Sequence, residues 1–264
     1  MVDEGKSIRM KGLFSSFIIA VSVYSRFPVP QVDRNQKNMK YVLCFFPVIG
    51  LVIGGLIYAW GRVCMACGFG QVCFALVGTV LPLIVTGGIH LDGFMDTANA
   101  LYAYEAREKK LASLKDAHVS AFAVISLVGY CFLYAAGLTQ IWRTDHLLLL
   151  TYSFVISRCL SGLSLVWFRE AKKEGLSYQI SAAAHRQTVR VVLVLLLGGC
   201  FIGLILILPV IGAVMALASM WVWTYYFYMS KKQFGGITGN LAGYFLSLCE
   251  LSSVLIIGLM GRMM

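Results

Sequence analysis

The chain has 264 residues, of which 59% are hydrophobic and only 13% are charged, and it carries a net charge of +10. Charged residues make up about a quarter of a soluble domain, so this composition excludes an ordinary soluble protein and indicates an integral membrane protein. The positive charge suits anionic lipid headgroups or a phosphorylated substrate. We predict a lipid bilayer as a partner and no nucleic acid.

The first apolar run, Phe14 to Tyr24, is too short to cross a bilayer comfortably. It leads into SRFPVP, whose prolines end a helix. We therefore expect an N-terminal interfacial or re-entrant helix. Its basic flank is reminiscent of a signal peptide, but no small-residue cleavage site follows, so we expect this segment in the mature protein.

Seven apolar blocks of about twenty residues follow, each long enough to cross a hydrocarbon layer roughly 30 Å thick. The fold class predicted from them is all-α, a polytopic membrane helical bundle. With no long linker or internal repeat, residues 1–264 are treated as a single integral membrane domain. The predicted spans are Tyr41 to Trp60, Val72 to His90, Val119 to Leu138, Leu147 to Phe168, Val191 to Leu208, Val210 to Met229 and Leu241 to Gly261.

Basic residues are distributed unevenly between the two sides of this arrangement. Of the 22 Lys and Arg residues, 18 fall on the side of the N-terminus and three on the opposite side. By the positive-inside rule the N-terminus is predicted to be cytoplasmic and the C-terminus outside. Every polar cluster described below then lies at the cytoplasmic face.

The first polar cluster is HLDGFMDTAN, at the end of the second apolar block. If a helix continues or restarts here, Asp92, Asp96 and Asn99 lie at i, i+4 and i+7 and share one face. Neighbouring carboxylates repel unless a cation or a proton lies between them, and oxygen ligands favour Mg²⁺, Ca²⁺ or Mn²⁺ over zinc. The alternative is a solvated helix start with acidic residues that suit its dipole.

The second cluster is FGGITGN, at the start of the last span. Its Gly235, Gly236, Thr238 and Gly239 predict a turn whose free N–H groups attract an anion such as phosphate, although a glycine-rich turn alone is a weak signal. Asn240 would either add an oxygen ligand for a metal or cap the helix.

Two charged residues lie deep within the predicted spans. Arg158 and Glu250 are each roughly 15 Å below the cytoplasmic edge, at matching depth. Because charge inside a membrane is costly unless it is paired or solvated, we expect these two residues to pair beneath the site; the other interpretation has Arg158 reach a substrate phosphate. His90, next to the aspartates, is a candidate metal ligand, phosphate contact or base.

These residues resemble the cobalamin synthase family across nearly the whole chain. The likeness runs through SRFPVP, FFPVIGLVIGG, TGGIHLDGFMDTANAL, LKDAHVSAFA, KKEGLS, GGITGN and Glu250. The HxDGxxDT core is the most specific part. The chain departs from the family pattern where Asn99 and Asn240 replace aspartates, Ala117 replaces a serine, and Ala100, Ser120 and Ala123 replace glycines.

The resemblance implies the final joining step of cobamide assembly at a bacterial or archaeal cytoplasmic membrane. A ribose hydroxyl of α-ribazole, or of its 5'-phosphate, attacks the cobinamide-side phosphorus of adenosylcobinamide-GDP, and GMP leaves. It also implies Mg²⁺ or Mn²⁺ as cofactor, and it leaves open a homo-oligomer or a complex with other cobalamin-assembly enzymes.

The resemblance also implies roles for individual residues. His90 or one of the aspartates takes the hydroxyl proton. Phosphate is held by the GGITG turn, and Lys172 and Lys173 either contact the nucleotide or only set the topology. The implied metal ligands are Asp92, Asp96 and Asp116, with Asn99 and Asn240 as weaker or outer oxygens.

Two other functions remain as alternatives at this point. A CDP-alcohol phosphotransferase also uses aspartates in a membrane, but its DGxxAR signature requires Ala and Arg where this chain has Asp96 and Thr97. An ion-coupled transporter predicts polar groups near the midplane and an internal repeat. The acidic cluster here lies at the end of a span, and no repeat is evident.

Overall fold

The computed structural model describes residues 2–103, 106–114 and 118–263. This part of the chain forms helices and one isolated parallel bridge, between Glu170 and Ile237. The prediction of an all-α bundle is therefore confirmed. The helices are α1 (Val2–Tyr24), α2 (Gln36–Met39), α3 (Val42–Cys67), α4 (Gln71–Thr86), α5 (Ile89–Tyr102), α6 (Arg107–Ser113), α7 (Ala121–Thr139), α8 (Thr144–Trp167), α9 (Gly175–Ala183), α10 (Arg186–Ile207), α11 (Pro209–Met229, extended by a π-helical turn Ser230–Phe234) and α12 (Gly239–Gly261).

Six helices in the described ranges are long and apolar enough to cross a membrane. They are α3, α7, α8, α10, α11 with its π-helical extension, and α12. The pair α4 and α5 passes the same test only when it is taken together, which brings the number to seven. The chain is thus a multi-pass membrane protein, as its composition predicts.

The second predicted span differs from expectation in one respect. Instead of one helix from Val72 to His90, α4 ends at Thr86 and α5 restarts at Ile89, with the two axes bent by 96°. The turn consists of Gly87 and Gly88, both with positive φ (65° and 78°), a conformation that costs glycine little and other residues much. The bend separates the apolar α4 from the acidic α5.

Helix α1 ends at Tyr24, before the prolines that predict its end. The Ser25 amide donates to the Val21 carbonyl at 3.0 Å and continues the helical hydrogen-bond pattern, and the Arg26 amide then donates to the Val85 carbonyl at 2.8 Å. The segment after α1 is therefore attached to the end of α4, directly beside the Gly87–Gly88 turn.

Helix α8 is the most deeply buried of the spanning helices and packs against α3, α10 and α12. It carries Arg158, which is only 1% exposed and forms an ion pair with Glu250 of α12, itself 6% exposed. Arg158 also donates to the Ser157 hydroxyl at 2.9 Å. The predicted pairing of these two intramembrane charges is confirmed.

Candidate active site

Helix α5 lies across the first turns of α12, and small residues allow the close approach. A Cβ at Gly93 would lie 2.7 Å from the Asn240 carbonyl oxygen, and one at Gly243 would lie 2.8 Å from the His90 carbonyl oxygen. Any larger side chain at either position would separate the helices. This crossing brings the HLDGFMD cluster together with the GGITGN turn.

The acidic face of α5 meets α12 at Asp96. The Asn240 side-chain amide donates to Asp96 Oδ2 at 2.6 Å and to the Leu114 carbonyl at 2.8 Å. An asparagine here supplies N–H donors that an aspartate lacks, so it satisfies Asp96 without a cation or a proton between the two side chains. Asp92, one turn earlier, is exposed.

A cavity of about 350 Å³ lies beside this crossing. His90 and Asp92 of α5 contribute to its polar wall, as do Lys172 and Thr238. Much of the remaining lining is apolar, from α1, α3, α8, α9 and α12. Volume and lining match an ordinary ligand site, which is mostly apolar with a few polar groups that orient the ligand.

The glycine-rich turn contributes to two different cavities. Thr238 and Gly239 line the cavity beside α5, and Thr238 also caps α12 by accepting from the Leu241 amide at 3.3 Å. Gly235 and Gly236 instead line a second opening, together with Arg107, Arg169 and Lys231. Its Gly235 has φ +77, and a side chain there would overlap the Arg107 guanidinium.

Other predicted site residues lie in different surroundings. Lys172 donates to the Leu111 carbonyl at 3.2 Å, whereas Lys173 is exposed and does not line the cavity beside α5. Asn99 follows Asp96 on α5 and also does not line that cavity. The predicted metal ligand Asp116 lies outside the described residues.

Arg158 lies behind the cavity beside α5 and does not line it. Together with Glu250 and His90, it lines a small buried space of about 20 Å³. His90 therefore separates the ion pair from the larger cavity. This placement favours the interpretation of Arg158 as a support beneath the site over that of a substrate contact.

His90 faces both spaces, and its Nε2 is buried without a hydrogen-bond partner among the described residues. A buried imidazole nitrogen without a partner is costly unless a ligand completes it. This observation agrees with the prediction that His90 contacts substrate, phosphate or metal, and it does not choose between them.

Glu170 is a cavity residue that sequence reasoning missed. It follows α8, is held by the bridge to Ile237, and lines the cavity with Oε1 buried and unpartnered among the described residues. Burial raises the pKa of Glu170 from 4.5 to about 7. Its only signal in the sequence is its place between an apolar span and the KKEG segment.

We expect the Glu170→Gln variant to be more stable than the native protein at pH 8, and the difference to shrink at pH 5. The folded-state pKa lies above the unfolded value, so the stability contributed by protonated Glu170 is lost as the pH rises through about 7. The difference at pH 8 should be on the order of 2 kcal/mol. Thermal unfolding in detergent at both pH values measures it.

The matched control is Glu108→Gln, because Glu108 is exposed on α6. It should show no comparable change between pH 5 and pH 8. A stability difference for Glu170→Gln that stays the same at both pH values would contradict the raised pKa.

The donor set suits a magnesium-type ion that also binds a substrate phosphate. Among the described residues, no group of three or more His, Cys, Asp or Glu side chains is placed to hold a metal ion. Mg²⁺, however, commonly uses only one or two carboxylates and completes its shell with waters and substrate phosphates. Asp92, exposed beside the cavity, meets that requirement as one carboxylate, whereas Asp96, one turn further on, accepts the Asn240 amide at Oδ2 and does not line the cavity.

Comparisons with known proteins agree with the motifs. The family model described as Cobalamin-5-phosphate synthase matches residues 16–258. A protein of Lachnoclostridium phytofermentans named adenosylcobinamide-GDP ribazoletransferase is 38% identical over 237 residues, which cover 90% of each chain. Proteins of the same name from Clostridium perfringens (29% identical, 95% of this chain and 100% of theirs) and Listeria monocytogenes (26% identical, 86% and 91%) are also similar. No solved structure matches this chain.

Proposed function

This chain belongs to the cobalamin-5-phosphate synthase family, and we propose that it catalyses the reaction for which its relatives are named. The observation that carries the proposal is the family match over residues 16–258, which includes the acidic helix and the glycine-rich turn. A ribose hydroxyl of α-ribazole, or of its 5'-phosphate, forms a bond to the cobinamide-side phosphorus of adenosylcobinamide-GDP. The bond from that phosphorus to GMP breaks, and GMP leaves.

The acidic face of α5 supplies the main electrostatic contribution. Asp92 and Asp96 would hold Mg²⁺ or Mn²⁺, with Asp116, Asn99 and Asn240 as further oxygens. When bound, such an ion neutralises the charge on the phosphate oxygens. Asn240 holds Asp96 in position by the 2.6 Å hydrogen bond, so the two helices keep the acidic pair oriented.

Other groups that line the same cavity would bind the nucleotide. Thr238 and Gly239, at the start of α12, present backbone N–H groups to an anion. Lys172, which also lines this cavity, adds a positive charge. Gly235 and Gly236 shape the turn from behind, and Lys173, exposed outside the cavity, acts on topology or on distant parts of the substrate.

Proton removal from the attacking hydroxyl requires a base within hydrogen-bond distance. The candidates remain His90, with its unpartnered Nε2, and the aspartates of α5.

The proposed location is the cytoplasmic membrane of a bacterium or archaeon, with the N-terminus and the active site inside and the C-terminus outside. The uneven distribution of Lys and Arg between the two sides supports this orientation. A homo-oligomer or a complex with other cobalamin-assembly enzymes stays open as a further level of organisation.

The function is tested with purified protein in detergent, adenosylcobinamide-GDP and α-ribazole or α-ribazole 5'-phosphate. We expect GMP and the joined corrinoid in equal amounts, by chromatography and mass spectrometry, in MgCl₂ and much less in EDTA. GMP without a joined corrinoid would contradict transfer. Undiminished turnover in EDTA would contradict the metal assignment alone.

A further inference from the structure

Asp92 is accessible from two sides. Besides the cavity of about 350 Å³ next to α9 and α12, a second cavity of about 690 Å³ lies between the end of α1, the Gly87–Gly88 turn and α7. Val23, Ile89 and Asp92 line both. We name these spaces the α12 cavity and the Arg26 cavity.

Among the described residues, one cationic side chain lines the Arg26 cavity. Arg26 is held in place by its amide, which donates to the Val85 carbonyl at 2.8 Å, and its guanidinium lies directly over Gly87, where any side chain would overlap it. None of the carboxylates in the described ranges lies within ion-pair distance of it. Arg26 is exposed, so its guanidinium is available for an external anion.

The rest of the Arg26 cavity is suited to a small aromatic nucleoside. Apart from Arg26 and Asp92, the described residues of its lining are uncharged, and α4, α5 and α7 contribute apolar side chains to it: Leu83, Ile89, Leu91, Met95, Leu127 and Cys131. An apolar space of this size with a single guanidinium fits a ligand with one aromatic base and one phosphate.

Displacement at phosphorus places the attacking and leaving oxygens on opposite sides of the reacting atom. With the phosphorus at Asp92, GMP would depart into the α12 cavity, where Lys172, Thr238 and Gly239 are available. The nucleophile would then approach from the Arg26 cavity. The two cavities, which share Asp92, would then receive the two ends of one in-line reaction.

We propose that the Arg26 cavity binds the attacking nucleoside as its 5'-phosphate, and that Arg26 binds this phosphate. The inference rests on the proposed function and deepens it by assigning the cavity and the residue that recognise the phosphate of the nucleophile. The ribose hydroxyl oxygen forms the new bond to phosphorus, its proton passes to the site base, and the bond to GMP breaks on the opposite side. Arg26 takes no part in proton transfer and discriminates between the phosphorylated nucleoside and the free one.

The test compares α-ribazole 5'-phosphate with α-ribazole in native, Arg26→Gln and Arg26→Lys proteins. Arg26→Gln should lower the ratio of the two kcat/KM values by about 10- to 100-fold, because a charge-assisted contact is made by only one nucleophile. The loss should appear in KM for the 5'-phosphate. Arg26→Lys should retain part of the preference for the 5'-phosphate, since lysine keeps the positive charge but lacks the planar guanidinium that can donate two hydrogen bonds to a phosphate.

The matched control is Arg186→Gln, which removes an exposed arginine at the start of α10, outside both cavities. It should leave the ratio unchanged. An equal loss with both nucleophiles after Arg26→Gln would overturn the proposal, because it would indicate a structural role. A raised KM for adenosylcobinamide-GDP would also overturn it, because it would place the other substrate in the Arg26 cavity.

Direct binding separates this inference from the proposed function. Calorimetry without adenosylcobinamide-GDP should show tighter binding of α-ribazole 5'-phosphate than of α-ribazole, and loss of the difference in Arg26→Gln. This result would stand even if no GMP were released. Turnover by the native protein with equal affinity for the two nucleosides would leave the proposed function intact and refute the role of Arg26.

Discussion

Replacing Asp92 by asparagine is expected to lower GMP release by about 100- to 1,000-fold, a loss typical of removing one preorganised electrostatic group from an active site. Asp92 lines both cavities. It is therefore adjacent to a phosphorus that the nucleophile attacks from one cavity while GMP leaves into the other. Asparagine keeps the shape and removes the charge that would hold a divalent cation. Initial rates of GMP release at saturating substrate measure the effect.

A comparison with a second aspartate keeps this prediction specific. Asp145 is also near the start of a helix, but it lies at the beginning of α8 and forms an exposed pair with Arg143 at 3.5 Å. Asp145→Asn should retain nearly native turnover. If Asp92→Asn retains it as well, or if its rate still responds fully to Mg²⁺, the acidic face of α5 is not the metal site.

Removing one charge of the Arg158–Glu250 pair is expected to destabilise the protein by about 3–5 kcal/mol, because the other charge would stay buried without a partner. Both groups are almost fully enclosed, at 1% and 6% exposure. Arg158→Met and Glu250→Gln should therefore unfold at markedly lower temperature in detergent or fail to yield a monodisperse protein. Thermal unfolding followed by size-exclusion chromatography measures both outcomes.

The double exchange Arg158→Glu with Glu250→Arg should recover part of the loss, and the neutral double variant Arg158→Met with Glu250→Met should recover more, because no buried charge remains. The exposed pair of Arg143 and Asp145, with side chains 55% and 47% exposed, is the control. Arg143→Met should lower the free energy of unfolding by less than about 1 kcal/mol. Double variants no more stable than the single ones would show that the pair does not act as a unit.

Several features were predictable because they depend on local sequence. Blocks of about twenty apolar residues require helices that satisfy their own backbone hydrogen bonds in lipid, and the described part of the chain has six such helices plus the bent pair. The prolines after Tyr24 predict the end of α1, which is observed. The matching depths of Arg158 and Glu250 predict their pairing, because an unpaired charge in a membrane is costly.

The bend between α4 and α5 was only partly predictable. Two consecutive glycines permit the positive φ values observed, but they do not specify a 96° change of direction. That angle depends on the packing of α5 across α12, where Gly93 and Gly243 allow contact. The position of Asp92 between two cavities follows from this packing and is not readable from helix periodicity.

The cavity-lining residues that were missed share one property. Glu170 and Arg26 are distant in sequence from HLDGFMD, and neither belongs to a set of polar residues repeated at helical spacing within a predicted helix. Glu170 reaches the α12 cavity through its bridge to Ile237, and Arg26 reaches the second cavity through its backbone bond to Val85. Both contacts join segments more than fifty residues apart, so no local pattern could reveal them.

By itself, the sequence determined that this is a helical membrane protein with acidic and glycine-rich motifs of the cobalamin synthase type, because apolar run length and motif spacing are local properties. Only the tertiary structure decided which of those polar groups share a cavity, that Asn240 holds Asp96, and that Asp92 is open on two sides. These arrangements arise where helices distant in sequence cross, and the crossing is governed by side-chain packing across the whole bundle.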